Sequence, residues 1–198
     1  MSPDKETLAY YGRAADDYAD RTAHLDKCLA LDAFIAALPH GARVLDLGCG
    51  PGVMAGRMAA EGFSVLATDA VPEMVDMADA RHGVEARVAR FDEIEGEREF
   101  DGVWANFSLL HAPREDLPEH LAAIHRALRP GGMFHIGMKT GEGEKRDDLG
   151  RLYTFVTEAE LRGLLQDAGF EVMESTWGRE AGMTGVPEDW VTVLSRAA

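Results

Sequence analysis

Cysteine is scarce in this sequence: only Cys28 and Cys49 occur among 198 residues. Cys49 falls inside a glycine-rich turn and Cys28 within a helical pattern, so the two thiols lack the number and spacing of a disulfide framework. Histidines and carboxylates also lack the spacing of a metal-ligand set, since His120 and His125 lie on different faces of one predicted helix. We therefore expect two reduced thiols and no metal site.

Basic residues are also few. The chain carries 20 lysines and arginines against 35 aspartates and glutamates, which gives a formal net charge of -15. Such a charge repels a phosphate backbone unless a local basic patch intervenes, and the largest basic pair, Lys145 and Arg146, has acidic residues on both sides. The composition disfavours nucleic acid as a partner.

Long apolar runs are missing too. No segment approaches the length of a membrane span, and Asp4, Lys5 and Glu6 interrupt the start of the chain, where a secretory signal needs apolar residues. These features predict a cytoplasmic protein without a membrane partner.

What the sequence does contain is enough apolar material for one core. Hydrophobic residues make up 46% of the chain, whose 198 residues suit one compact domain. Short apolar runs typical of strands alternate with patterns typical of helices. The predicted strands cover residues 42–47, 63–68, 85–89, 102–106, 133–138, 170–176 and 190–195, and the predicted helices cover 31–38, 53–60, 72–78, 118–129 and 157–168.

This alternation predicts an α/β fold with a Rossmann-like, doubly wound sheet of seven mostly parallel strands. The loop before the last strand contains Gly and Pro but has no space for a helical crossover, so the C-terminal strand should be antiparallel. In such a sheet, ligands bind beyond the carboxyl ends of the strands, beside the first strand. The glycine-rich turn lies at that place.

The turn runs from Gly48 to Gly52 and has features of a cofactor-binding loop. Gly48 and Gly50 lack Cβ atoms, which permits a tight turn and close approach of a ligand to the backbone. Asp69 ends the next predicted strand, where a carboxylate accepts hydrogen bonds from ribose hydroxyls. A dinucleotide-binding loop would place a third glycine at Val53, so a nicotinamide-dependent oxidoreductase is only a partial match.

Residues 44–52, Val-Leu-Asp-Leu-Gly-Cys-Gly-Pro-Gly, closely resemble the first motif of the class I S-adenosylmethionine-dependent methyltransferases. The resemblance continues through Asp69 and through residues 100–106, 128–134 and 161–170, and so covers the chain from about Tyr10 to its end. It implies S-adenosylmethionine as cofactor, with a helical lid over residues 1–40 and a cofactor-binding core over residues 41–198 of a single domain.

The resemblance also implies roles for individual residues. Gly48 and Gly50 would pass close to the methionine part of the cofactor, Asp46 would help to hold the loop, and Asp69 would bind the ribose. After the third strand the match is ambiguous, and either ring packing or a hydrogen bond could recognise the adenine. The full set of expected cofactor-binding residues is Tyr18, Asp46, Gly48, Cys49, Gly50, Asp69, Ala70, Phe91, Asp92 and Asn106.

Methyl transfer from a sulfonium carbon mainly requires an acceptor held in line in a site with little water, so a dedicated base is optional. His111 follows the fourth predicted strand and is the candidate catalytic residue, because an imidazole can take a proton from the acceptor. Packing is its alternative role.

Two further segments are candidates for contacts with ligands. Tyr10, Tyr11 and Tyr18 precede the first strand, where similar enzymes place the lid, although ordinary helix packing explains them equally well. The glycines of residues 141–146 permit a mobile loop over the site. Lys139, Arg146 and Tyr153 are candidates to contact a polar acceptor, with a solvated charged loop as the alternative.

The predicted function is methyl transfer to an unidentified small-molecule acceptor by a monomer or homodimer. Two alternatives stay open: a non-catalytic protein that binds S-adenosylmethionine, and an NAD-dependent oxidoreductase on a related fold.

Overall fold

The computed structural model of the chain describes residues 4–23 and 28–198. Within these residues the helices are α1 (Lys5–Arg13), α2 (Ala15–Thr22), α3 (Leu29–Ala36), α4 (Val53–Ala60), α5 (Pro72–His82), α6 (Leu117–Ala127) and α7 (Glu158–Asp167). The strands are β1 (Arg43–Leu47), β2 (Ser64–Asp69), β3 (Glu85–Val88), β4 (Phe100–Asn106), β5 (Leu128–Lys139), β6 (Glu144–Arg146), β7 (Leu152–Thr154), β8 (Phe170–Ala181) and β9 (Pro187–Ala197).

Seven strands form one sheet in the order β3-β2-β1-β4-β5-β9-β8. Strands β1 to β5 run parallel to one another, whereas β9 is antiparallel to both β5 and β8. The predicted fold class, with its antiparallel C-terminal strand, is confirmed. Because β2 and β3 extend the sheet on one side of β1 and β4 extends it on the other, the switch point lies between β1 and β4.

Helices cover both faces of the sheet. Leu45 and Leu47 pack into one core cluster with residues of α6 and α7, while Val44 packs into a second cluster with residues of α3 and α4. Side chains alternate between the faces of a strand, so Asp46 shares the face of Val44 and points toward α4. Among the described residues no helix is both long and apolar enough to cross a membrane.

The predicted end of the helix before β5 is wrong. Leu128 was expected to continue the helix of residues 118–129, but α6 ends at Ala127 and Leu128 begins β5 opposite Phe100. Leu128 has extended backbone angles, and the proline at position 130 disfavours a helical conformation for Arg129. The helix therefore ends before the Pro-Gly-Gly turn rather than at it.

The N-terminus of α7 has one of the two hydrogen bonds of a capping box. The Thr157 side chain accepts a hydrogen bond from the Glu160 backbone N–H at 3.2 Å. The Glu160 carboxylate pairs with Arg114. Glu160 thereby ties α7 to the segment before α6.

Residues 141–146 were expected to form a mobile loop, but part of this segment is the strand β6, which pairs with β7 in a small two-stranded sheet. An ion pair and a hydrogen bond hold helix α1 against this sheet. The Arg146 guanidinium pairs with Asp4, the N-cap of α1, at 2.5 Å, and the Leu152 backbone N–H donates to the Thr7 hydroxyl at 2.9 Å. The two-stranded sheet thus fixes the position of α1. Residues 1–3 and 24–27 of the predicted lid lie outside the described residues.

Candidate functional site

A cavity lies where β1, β2 and β4 end, at the predicted edge of the sheet. It is lined by eight of the ten expected cofactor-binding residues and by the candidate base: Tyr18, Gly48, Gly50, Asp69, Ala70, Phe91, Asp92, Asn106 and His111. Asp46 and Cys49 do not line it. Residues that are far apart in the sequence are thus brought to one place by the parallel strands.

Positive backbone angles shape the glycine loop. Gly48 has φ +76°, and a Cβ atom there would lie 2.3 Å from the Ser108 Cβ. Ser108 closes against the loop because its hydroxyl donates to the Leu47 carbonyl at 2.6 Å. Gly50 has φ +53°, and a Cβ there would lie 3.5 Å from the Tyr18 ring. A side chain at Gly48 would therefore collide with Ser108, just after β4, and one at Gly50 would narrow the cavity.

The Asp69 carboxylate organises the entrance of the loop. Its Oδ2 accepts a hydrogen bond from the Gly50 backbone N–H, and its Oδ1 accepts one from the Val71 backbone N–H, both at 2.9 Å. Burial raises the pKa of Asp69, while these backbone donors act in the opposite direction. Each carboxylate oxygen retains a lone pair, so the group can accept further hydrogen bonds from a ligand.

The side chains of Asp46 and Cys49 lie behind the loop, away from the cavity. Burial, with the nearby Asp69 charge, raises the pKa of Asp46 to about 8. One of its oxygens, Oδ2, has no hydrogen-bond partner among the described residues. Cys49 packs into the core cluster of α3 and α4, and burial raises the pKa of its thiol. These two residues support the loop from the core side.

The segment after β3 places a ring and a carboxylate in the cavity. The Phe91 ring packs edge to face on His120, with the ring centroids 5.9 Å apart. The Asp92 carboxylate accepts from Arg90 at 2.9 Å, and this guanidinium lowers the pKa of Asp92. Arg90 and His120 also line the cavity, although no sequence motif marks them as ligand contacts.

Two of the three N-terminal tyrosines reach the cavity. The rings of Tyr11 and Tyr18 meet edge to face at 5.3 Å, and both line the cavity. Tyr10 does not line it, and its ring packs against the buried Arg151 guanidinium at 5.0 Å. Tyr11 and Tyr18 thus form the wall that the N-terminal helices contribute.

Both ring nitrogens of His111 are hydrogen-bonded. Nδ1 lies 2.6 Å from the Leu152 carbonyl oxygen and must donate, because a carbonyl only accepts. In the neutral ring Nε2 then accepts from the Tyr11 hydroxyl at 2.9 Å, and that hydroxyl in turn accepts from Arg151 at 3.1 Å. Burial, together with the charges of Arg151 and Lys139, lowers the pKa of His111 to about 4.

A larger cleft lies on the other side of the same wall and shares Tyr11, Tyr18, Asn106, Phe107 and His111 with the first cavity. Lys139 and Tyr153, two of the candidates for acceptor contacts, line this cleft. The Lys139 ammonium lies 3.6 Å from the Tyr153 ring centroid and pairs with Glu188. Arg146 does not line the cleft, since it is committed to Asp4. Further walls come from β8, β9, α2 and α3.

A strained turn at Phe107 lies at the junction of the two cavities. Phe107 has φ +55°, an uncommon conformation for a non-glycine residue and one that is often found at functional sites. Its backbone N–H donates to the Gly137 carbonyl at 3.1 Å. The signal available in the sequence was position alone, because Phe107 follows directly on the Asn106 end of β4.

Comparison with known proteins points to one family. A family model described as a methyltransferase domain matches residues 44–132. An uncharacterised protein of Mycobacterium bovis is 30% identical over 172 residues, which are 82% of this chain and 58% of that protein. The ubiquinone biosynthesis O-methyltransferase of Xanthomonas oryzae pv. oryzae is 39% identical over 104 residues, 48% of this chain and 42% of that enzyme. The chain thus spans about half the length of these curated relatives.

A solved structure extends the similarity over the whole fold. The 1,6-didemethyltoxoflavin-N1-methyltransferase of Burkholderia thailandensis is 27% identical, with a TM-score of 0.69 over 100% of this chain and 93% of that chain. That structure contains bound 1,6-didemethyltoxoflavin and S-adenosylhomocysteine.

Proposed function

We propose that this chain transfers the methyl group of S-adenosylmethionine to a small-molecule acceptor, because it belongs to the class I S-adenosylmethionine-dependent methyltransferases. The observation that carries the proposal is the single cavity that joins Gly48 and Gly50 of the loop to the Asp69 carboxylate and the Asn106 end of β4.

The donor set of this cavity fits the cofactor. Asp69, fixed by Gly50 and Val71, has lone pairs for the ribose hydroxyls. Phe91 supplies a ring surface for adenine, and Asp92 supplies a carboxylate for its amino group. The buried Asp46 does not line this cavity, so its part is to support the loop from beneath.

When bound, the cofactor supplies an electrophilic methyl group on a sulfonium sulfur. The chain then has to bind the acceptor in line and exclude water. We assign binding of the acceptor to the larger cleft, because that cleft meets the cofactor cavity at Asn106 and Phe107. Tyr11 and Tyr18 cover the junction as part of a lid formed by the N-terminal helices.

Three observations support a small molecule as the acceptor. The cleft is lined by aromatic and apolar side chains such as Phe107, Trp190 and Met54. Two of the relatives act in ubiquinone biosynthesis and on 1,6-didemethyltoxoflavin, as their names state. The net charge of -15 opposes a phosphate backbone.

A catalytic role for His111 stays part of the proposal, with one condition. Its Nε2 accepts a hydrogen bond from the Tyr11 hydroxyl, so His111 can take a proton from the methyl acceptor only after Tyr11 moves or by relay through that hydroxyl. The low pKa of His111 keeps the imidazole unprotonated at neutral pH, which a base requires, but weakens it as a proton acceptor.

The proposed function is tested by incubating the protein with S-adenosylmethionine labelled in the methyl group and panels of small phenols, amines and carboxylic acids. We expect time-dependent S-adenosylhomocysteine formation with at least one panel, and label in the small-molecule fraction. Heat-inactivated protein is the control. Cofactor binding without transfer to any panel or to a cell extract would favour a non-catalytic cofactor-binding protein.

A further inference from the structure

A buried histidine on β5 contacts the junction of the two cavities and has no part in the function proposed above. His135 is almost fully buried, and its ring stacks on the Trp104 ring with the centroids 3.7 Å apart and the planes 13° apart. The two residues are direct partners in the register of β4 and β5. This stacking fixes the plane of the imidazole.

The hydrogen bond between His135 and Asn106 fixes the tautomer of His135. Its Nε2 lies 3.0 Å from the Asn106 side-chain oxygen Oδ1. Because an amide oxygen only accepts, Nε2 carries the proton and the neutral ring leaves Nδ1 unprotonated. Burial lowers the pKa of His135 to about 3, so the ring stays neutral at physiological pH and the bond persists.

A second feature holds the Asn106 amide in the same orientation. Gly137 lies opposite Asn106 in the sheet, and a Cβ atom there would lie 2.8 Å from Asn106 Oδ1. The missing side chain gives the amide oxygen its place against β5. With Oδ1 held between His135 and Gly137, the Nδ2 amino group on the other side of Cγ is turned away from His135.

The direction of that amino group has a functional meaning. Asn106 lines both cavities, whereas His135 lines only the larger cleft. With the amide oxygen bound by His135, the two N–H donors of Asn106 are left for a ligand in the cofactor cavity, which Asn106 also lines.

We infer that His135 is a positioning residue, which orients the Asn106 amide so that its amino group donates to a bound cofactor. This inference rests on the proposed function, because the acceptor of the bond is an oxygen or nitrogen of S-adenosylmethionine or of its product.

The test uses calorimetric titration of S-adenosylhomocysteine and needs no methyl acceptor. His135→Phe keeps a ring on Trp104 but removes the donor, and should raise the dissociation constant by about 3- to 10-fold, the range of one hydrogen bond. Asn106→Asp replaces the amino group by an oxygen and should raise it by at least about tenfold. His135→Gln, which retains an N–H donor, should recover part of the lost affinity.

The matched control is His125→Phe. His125 is also packed on an aromatic ring, that of Phe170, but it lines neither cavity. We expect this variant to bind S-adenosylhomocysteine as the parent does. Melting temperatures of all variants show which of them are folded.

Nitrogen NMR of the histidine rings tests the geometry independently of any ligand. His135 should show the Nε2–H tautomer and no titration between pH 5 and 8. An Nδ1–H tautomer, or parent-like affinity of a folded His135→Phe variant, would overturn the inference and leave the proposed function intact. Failure of the unmodified protein to bind S-adenosylhomocysteine would overturn both.

Discussion

Replacement of Asp69 by alanine should raise the dissociation constant of S-adenosylhomocysteine by about 10- to 150-fold, equivalent to about 1.5–3 kcal/mol for hydrogen bonds to a charged group. Two effects act together. The ribose hydroxyls lose their carboxylate partner, and the backbone N–H groups of Gly50 and Val71 lose the acceptor that fixes the loop. Isothermal titration calorimetry measures the change.

Asp101 provides a matched control for this experiment. Its carboxylate also accepts a backbone N–H, that of Arg43 at 2.8 Å, but at the start of β1, the opposite edge of the sheet. Asp101→Ala should therefore cost stability without changing affinity by more than about twofold. If Asp69→Ala binds as the parent does, the ribose is bound elsewhere and the assignment of this cavity is wrong.

Replacement of His111 by alanine should lower kcat by roughly 10²-fold once an acceptor is known, the lower end of contributions from general bases, with S-adenosylhomocysteine affinity nearly unchanged. A base must be unprotonated to act, so activity that depends on His111 should rise with pH through a pKa of about 4 and show no inflection between pH 6 and 8. Rates measured across that range test both statements.

Tyr11→Phe separates the two possible roles of His111. This change removes the hydroxyl that occupies Nε2 and leaves the ring packing in place. If His111 takes the proton directly, the variant retains most of its activity, because Nε2 is then free to receive a proton from the methyl acceptor. If Tyr11→Phe and His111→Ala lose activity equally, His111 acts by holding Tyr11 or through a relay that needs the hydroxyl.

Local patterns predicted much of the fold. The apolar alternation identified all seven strands of the main sheet, and the 53–60 helix has the predicted ends. Where the prediction failed, contacts between distant segments decided the structure. Leu128 entered β5 because it pairs with Phe100, and residues 144–146 formed a strand because residues 152–154 lie opposite them. Strand pairing leaves no signal in either segment alone, although Pro130 is a local signal that the helix ends before Arg129.

The residues of the candidate site were likewise predicted only in part. Gly48, Gly50 and Asp69 were identified because a glycine turn and a strand-ending carboxylate have a local chemical meaning. The partners of His111 were not, since Tyr11 and Leu152 lie 100 and 41 positions away in the sequence. The same holds for His135, whose role depends on a bond to an adjacent strand.

Thermal unfolding with and without cofactors tests the central claim most directly, because a ligand that binds only the folded state stabilises it by mass action. At a concentration near 100 times its dissociation constant, S-adenosylhomocysteine should stabilise the protein by about 2.7 kcal/mol and raise the Tm by roughly 5–10 °C. S-adenosylmethionine should act similarly, and NAD and NADP should leave the Tm unchanged. The methyltransferase assignment would be contradicted by a Tm shift with NAD that equals or exceeds the shift with S-adenosylhomocysteine. The absence of any shift with S-adenosylhomocysteine would contradict it as well.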